Sequence, residues 1–260
     1  MRFHELSMPL DWQWMPDEVL PTSVHFLLAP RSHEDKGIIL GLESGTCLMM
    51  PAQFSAFRKT TRLHEVPPEK LVLRRGVLAD LPRGSREAIS PADVDRAIES
   101  VALAPGDALL IRTGWGDGAP RERGSDQYLL DTPYLTPEAA RTLGRAMVDR
   151  GSDLLLLDTA IVGYPDKHLI PEWVAMLPRP LPWPSEGARA YLQGYLEREV
   201  NEDWAADYAL AEAGITVVKR LVNCRAIQGT RVRLVLAPLN LVRGVGSPCR
   251  VVAIEEDGEA

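Results

Sequence analysis

Cysteine, lysine and aromatic residues are scarce in this chain, and no apolar stretch reaches membrane-spanning length. Its three cysteines, Cys47, Cys224 and Cys249, are an odd number without Cys-x-x-Cys spacing, which argues against both a disulfide framework and a cysteine-based zinc site. The opening Met1-Arg2-Phe3-His4-Glu5-Leu6 lacks the apolar run of a secretory leader, so a reducing cytoplasm is the expected setting. The net charge is −7, with no Lys/Arg cluster interleaved with aromatics. Neither nucleic acid nor an anionic membrane is therefore expected as a partner, and a small molecule is. Gly244-Val245-Gly246 lacks the third glycine and the helix of a dinucleotide loop, and no P-loop occurs, so no cofactor is expected.

What is present describes an ordinary globular chain of 260 residues, 45% hydrophobic and 25% charged, read as a single domain. Ser23 to Leu28 and Lys36 to Leu42 form a predicted hairpin across the polar turn Arg31-Ser32-His33-Glu34-Asp35. Further strands are expected over Leu71 to Asp80, Asp107 to Trp115, Asp153 to Asp158, Ile215 to Asn223, Arg231 to Val242 and up to Ile254. Helices are expected from Ser90-Pro91-Ala92-Asp93 to about Leu103, from Thr136-Pro137 to Arg150-Gly151, and from Asp203 to Ala213, each with capping signals. A helix of that length between strands suits a parallel crossover, so the strand at Asp153 is expected beside the one before it. The fold class is α/β, with a mixed sheet core and flanking helices. Residues 163–203 break the pattern with the stiff run Pro178-Arg179-Pro180-Leu181-Pro182-Trp183-Pro184. This segment reads as an insertion.

The most informative stretch is Glu43-Ser44-Gly45-Thr46-Cys47-Leu48-Met49-Met50-Pro51-Ala52-Gln53, at the end of an apolar run. With Glu5-Leu6-Ser7-Met8-Pro9, Gly106-Asp107 through Arg112-Thr113-Gly114-Trp115, Leu157-Asp158-Thr159 and Gly244-Val245-Gly246-Ser247-Pro248, it resembles the cyclase/kynurenine formamidase family. That family also holds isatin hydrolase and some polyketide ring-closing cyclases. The resemblance implies a swivelling β/β/α fold and a dimeric or tetrameric assembly. It also implies a pattern H-x-G-T-H-x-D-x-P-x-H whose His and Asp bind divalent metal, with a further His and Glu late in the chain. Here those six positions read Glu43, Cys47, Met49, Gln53, Asp207 and Lys219, and Arg220 stands where the family has Asn. No metal is expected in a pocket that carries an ammonium.

Only five of the 29 basic residues are lysines, so Lys219, on an apolar strand, stands out. Burial lowers the pKa of such a lysine unless a carboxylate holds it charged, and Glu43 and Asp207 are the natural partners. Two chemistries follow. In one, Lys219 and Arg220 stabilise an enolate or oxyanion while Glu43 or Asp207 moves protons, which suits ring closure, dehydration or isomerisation of a carbonyl compound. In the other, Cys47 is a nucleophile with Glu43 as base and Lys219 as oxyanion donor, a hydrolase without metal. Gln53, Met49, Arg220, Trp14 and Trp115 are the expected substrate contacts. Met49 and Met50 are expected to fill the volume that a metal and its ligands take up in the relatives. A third reading, an inactive binding or assembly subunit, stays open at this point.

Overall fold

Runs of buried aliphatic residues set the architecture of this computed structural model, which describes residues 1–10, 24–28, 36–40, 42–118, 125–164 and 204–256. Trp14 and all but the first two residues of the expected insertion at 163–203 lie outside the described residues. In chain order the strands are β1 (Arg2–Glu5), β2 (Val24–Leu28), β3 (Lys36–Leu40), β4 (Cys47–Met49), β5 (Arg74–Asp80) and β6 (Ala88–Ile89). They continue as β7 (Ala108–Arg112), β8 (Tyr134–Leu135), β9 (Leu154–Leu157), β10 (Thr216–Lys219), β11 (Arg231–Pro238) and β12 (Gly246–Glu255). The α-helices are α1 (Pro91–Glu99), α2 (Ser125–Leu130), α3 (Pro137–Asp149) and α4 (Ala205–Glu212).

The main sheet runs β1-β12-β11-β5-β7-β9-β10-β4, and β4 also pairs with β12. That second pairing closes seven strands into a barrel, with β1 added on the outside of β12. β5, β7, β9 and β10 are mutually parallel, as the helical crossovers predict for β7 and β9. The remaining pairs are antiparallel. β2 and β3 form the expected hairpin as a separate antiparallel pair.

Strand alternation divides the core in two. Leu48, Leu78, Leu110, Leu156, Val218 and Leu234 point into the barrel. Val77, Leu109, Leu155, Leu157 and Val217 point outward and are covered by α1, α3 and α4. β9 is therefore buried on both faces, which is why it is an unbroken run of leucines. Ser90 caps α1 by a reciprocal pair: its Oγ accepts from Asp93 N, and the Asp93 carboxylate accepts from Ser90 N at 2.9 Å. Thr136 Oγ1 accepts from Ala139 N at 3.1 Å at the start of α3, with Pro137 in the first turn. α3 crosses α4 closely at Gly144, where an added Cβ would come within 2.9 Å of the Ala213 Cβ.

Several strands are shorter than expected, β7 ending at Arg112 and β11 at Pro238, and three boundaries differ for identifiable local reasons. α1 stops at Glu99 rather than near Leu103, and Ser100 caps it. The strand expected from Leu71 begins only at Arg74, because Pro68–Lys70 is a 3-10 turn. β10 ends at Lys219 rather than Asn223, because Arg220 adopts a left-handed backbone with φ of 64°. No helix among the described residues is long and apolar enough to cross a membrane.

Candidate active site

The C-terminal ends of β7, β9 and β10 meet the loop that enters β4, and α4 covers the same side. Gly45, with φ of 60°, turns the chain into β4. Thr46 then ties three segments together: its Oγ1 accepts from Met8 N at 2.8 Å and donates to the Arg220 carbonyl at 2.5 Å. β4 and β10 are in register with Cys47 opposite Lys219 and Met49 opposite Val217. Since Val217 faces outward, these four side chains share the outer face of the barrel.

Lys219 is 2% exposed, and its Nζ lies 2.7 Å from Glu43 Oε2. Desolvation is the largest single influence and works to lower the pKa of the ammonium, but Glu43, with smaller help from Cys47 and Asp207, outweighs it and the net shift is upward. Lys219 is thus charged at neutral pH and held in a buried ion pair, the outcome expected from a carboxylate partner.

Arg220 is engaged chiefly with main-chain carbonyls. Its Nε donates to the Ala160 carbonyl at 2.9 Å, and its Nη1 donates to the carbonyls of Gly45, at 3.3 Å, and of Glu43. Its Nη2 lies 3.8 Å from Glu43 Oε2. The guanidinium is largely spent on main-chain carbonyls, so Arg220 fixes the loop that presents Glu43. The left-handed backbone at this residue lets the side chain turn back toward that loop.

Asp207 sits in the first turn of α4 and is 7% exposed. Burial pushes its carboxyl up to about 6, against the pull of Lys219 and reinforced by the negative charge of Glu43. Backbone N–H groups of Asp207 itself and of Gly163 donate to it, while Oδ2 has no hydrogen-bond partner among the described residues.

Cys47 is completely buried, and burial raises its thiol pKa although Arg220 and Lys219 oppose the shift. Arg220 Nη1 is 3.9 Å from the sulfur. Met49 is 5% exposed and packs over Gly246, where an added Cβ would come within 2.4 Å of the Met49 sulfur. Met50, expected to fill the same volume, instead joins Leu48 in the interior cluster, because the next residue along an extended chain points to the other face. Gln53 is half-buried in the 3-10 turn Pro51–Gln53, which packs against α4. Phe54 of this segment meets Tyr208 of α4 edge to face at 5.4 Å. Trp115 is 4% exposed in a cluster with Met8, Tyr128, Leu129 and Ala160, and its indole N–H donates to the Tyr128 carbonyl at 3.0 Å. Its ring is thus packed within this cluster.

Sequence reasoning passed over three polar residues beside this group. Asp158, fully buried, accepts from Thr113 N at 2.9 Å, Thr113 Oγ1 at 2.6 Å and Gly114 N at 2.8 Å, fixing the loop after β7. Burial nevertheless pushes its carboxyl up to about 6. An acid directly after a leucine run was the available signal. Thr159 and Tyr128 are also buried; Thr159 lies in the family-like Leu157-Asp158-Thr159 motif without being singled out as a site residue, and nothing marks Tyr128.

Several relatives of this fold are described as metal-dependent, so the donor set bears on whether an ion fits here. Among the described residues no group of three His, Cys, Asp or Glu is placed to hold a metal ion. The carboxylate best placed to anchor one is already paired with the Lys219 ammonium. A dication prefers several deprotonated ligands without a competing cation. The described residues do not fit one.

A model of the family described as "Putative cyclase" matches residues 4–161. Among solved structures, isatin hydrolase A from Labrenzia aggregata, bound to benzyl benzoate, superposes with a TM-score of 0.67 at 21% identity, covering 98% of this chain and 94% of that one. Isatin hydrolase A from Ralstonia solanacearum gives 0.66 at 19% identity, covering 98% and 92%. A protein from Bacillus stearothermophilus described as a predicted metal-dependent hydrolase gives 0.62 at 16%, covering 97% of each chain. These likenesses establish the shared fold. No curated protein matches the sequence.

Proposed function

The chain belongs to the cyclase family, and on that premise we propose that it is a metal-independent member carrying out acid–base chemistry on a small carbonyl compound. Ring closure, dehydration and isomerisation all fit, since none needs a metal-activated water. The observation that carries this reading is the buried Lys219–Glu43 pair at 2.7 Å, flanked by a carboxyl titrating at about 6.

A general base works best with a pKa near the operating pH, and Asp207 meets that condition. At neutral pH it is mostly ionised, and its unpartnered Oδ2 can take a proton from a carbon next to the substrate carbonyl. The electron pair left behind moves onto the carbonyl oxygen, where the fixed charge of Lys219 stabilises it. Return of that proton to another carbon gives an isomer; delivery to a departing hydroxyl gives dehydration with loss of water. Glu43 keeps the ammonium charged and oriented, and Arg220 holds Glu43.

The alternative, hydrolysis by a Cys47 nucleophile, is the weaker reading, because a fully buried thiol with a raised pKa is poor in thiolate. An inactive binding subunit is the third reading; against it stands the pairing of a raised Asp207 carboxyl with an oxygen that no described residue satisfies. We take the working form to be a dimer or tetramer, as the resemblance implies, with the cytoplasm as its setting.

The test combines elemental analysis of the purified protein with NMR detection of hydrogen–deuterium exchange beside the carbonyl in a panel of ketones, lactones and isatin. Exchange is expected without bound metal and is expected to vanish in Lys219→Met. A stoichiometric divalent ion in the protein, or unchanged exchange in Lys219→Met, would overturn the reading.

A further inference from the structure

Five buried side-chain polar atoms lack a hydrogen-bond partner among the described residues: Arg83 Nε, Asp107 Oδ1, Tyr128 OH, Thr159 Oγ1 and Asp207 Oδ2. The first two still sit in ion pairs, Arg83 Nε at 3.5 Å from Glu87 and Asp107 Oδ1 at 3.0 Å from Arg75. The other three lie on segments that meet at Arg220 and Lys219. The Thr159 carbonyl accepts from Arg220 N at 3.0 Å, and the next carbonyl, of Ala160, accepts from Arg220 Nε. Tyr128 stacks on Trp115 with ring centroids 6.3 Å apart, and Arg220 is the charge that acts most strongly on its phenol. Asp207 feels Lys219 and Glu43. Buried polar groups are nearly always partnered, so three orphans on the segments that bear on this ion-pair core point to a ligand that supplies the missing partners.

The charges at this core limit what that ligand is. Lys219 and Arg220 face Glu43 and Asp207, so the four sum to zero once Asp207 is ionised. Among the described residues no uncompensated positive charge remains for an anion, and both carboxylates would repel one. The orphan hydroxyls of Tyr128 and Thr159 are donors. Burial drives the Tyr128 phenol pKa upward, so it keeps its proton across the physiological range.

We propose that Tyr128, with Thr159, forms the substrate-binding side of this site and selects an uncharged compound through its carbonyl oxygens. This rests on the acid–base reading for the identity of the site, but it concerns binding and is measured without turnover. An unsatisfied buried hydroxyl penalises the empty protein, whereas a bound carbonyl relieves that penalty. Tyr128→Phe therefore separates ligand binding from a structural role.

The experiment measures thermal unfolding and ligand-observed NMR binding for the wild type, Tyr128→Phe and Thr159→Val. Phthalimide, indan-1-one and coumarin serve as neutral probes, and benzoate and phthalate as anionic ones. The wild type is expected to bind neutral probes in preference to anionic ones. Tyr128→Phe is expected to unfold about 2–4 °C higher when empty and to bind the best neutral probe about tenfold more weakly. Preference for the carboxylates, no binding by any probe, unchanged affinity in Tyr128→Phe, or a lowered unfolding temperature would each overturn the proposal. If Lys219→Met leaves exchange intact while Tyr128→Phe weakens binding, the acid–base reading falls and the binding assignment stands; the reverse pattern separates them the other way.

Discussion

Replacing Asp207 by Asn tests the electrostatics of the site through protein stability, independently of any substrate. Asp207 has a pKa of about 6 in the folded chain against 3.8 for an unperturbed aspartate, because burial disfavours its charged form. Between these two values the native state binds more protons than the unfolded state, so stability falls as pH rises. The contribution of the carboxyl is fully present below 3.8 and is lost as pH climbs through 6. A shift of roughly two units at 1.36 kcal/mol each places the cost of ionised Asp207 on the order of 3 kcal/mol. Asn keeps the shape and does not ionise. Urea unfolding of both proteins from pH 4 to 8 isolates this group, because the other carboxylates cancel in the difference. The variant is expected to gain about 3 kcal/mol on the wild type between the two ends, while losing the proposed activity. A difference that stays flat with pH, or that shifts toward the wild type as pH rises, would mean that Lys219 holds Asp207 ionised and that it is no poised base.

Lys219→Met strands the Glu43 carboxylate in a buried site and is expected to cost about 3–5 kcal/mol, whereas the double variant with Glu43→Gln costs less than the single; a double-mutant cycle by urea unfolding measures the coupling. Thr46→Val removes both hydrogen bonds that join Met8 and Arg220 through one hydroxyl, with an expected loss of about 1–3 kcal/mol by the same assay. Gly116→Ala places a Cβ 1.9 Å from the Leu221 carbonyl oxygen, so the loop after β7 must move, and a lowered melting temperature with loss of soluble protein is expected. All three cysteines are buried; iodoacetamide is expected to leave the native protein unlabelled and to modify it fully in denaturant, as mass spectrometry would show.

The strands and helices were legible where burial is two-sided or capping is explicit, as in the leucines of β9 and the Ser90–Asp93 pair. Barrel closure was not, because β4 has only three residues and nothing in Cys47-Leu48-Met49 signals that it pairs on both sides. The Lys219–Glu43 contact could be anticipated because lysine is rare in this chain and this one lies among aliphatic neighbours. The place of Arg220 could not be: an Arg after a Lys on a strand points to the opposite face by alternation, and only the left-handed backbone brings it back. Trp115 carries a family-like motif, yet sequence does not reveal that its N–H is satisfied by Tyr128 nearby. Tyr128 gave no signal, and Thr159 only that of the Leu157-Asp158-Thr159 motif, because unpartnered hydroxyls are a property of packing and not of sequence spacing.

The pairing of β12 with β4 as well as β11 has a consequence for how copies of this protein meet. Closing the ring leaves, among the described residues, β1 as the only strand of the main sheet with an unpaired side. Any growth of that sheet by another chain has to begin there, next to exposed Met1 and Phe3. Arg2 and Glu5 on the same short strand put charges of opposite sign beside that apolar pair, the kind of guard that discourages runaway edge-to-edge association.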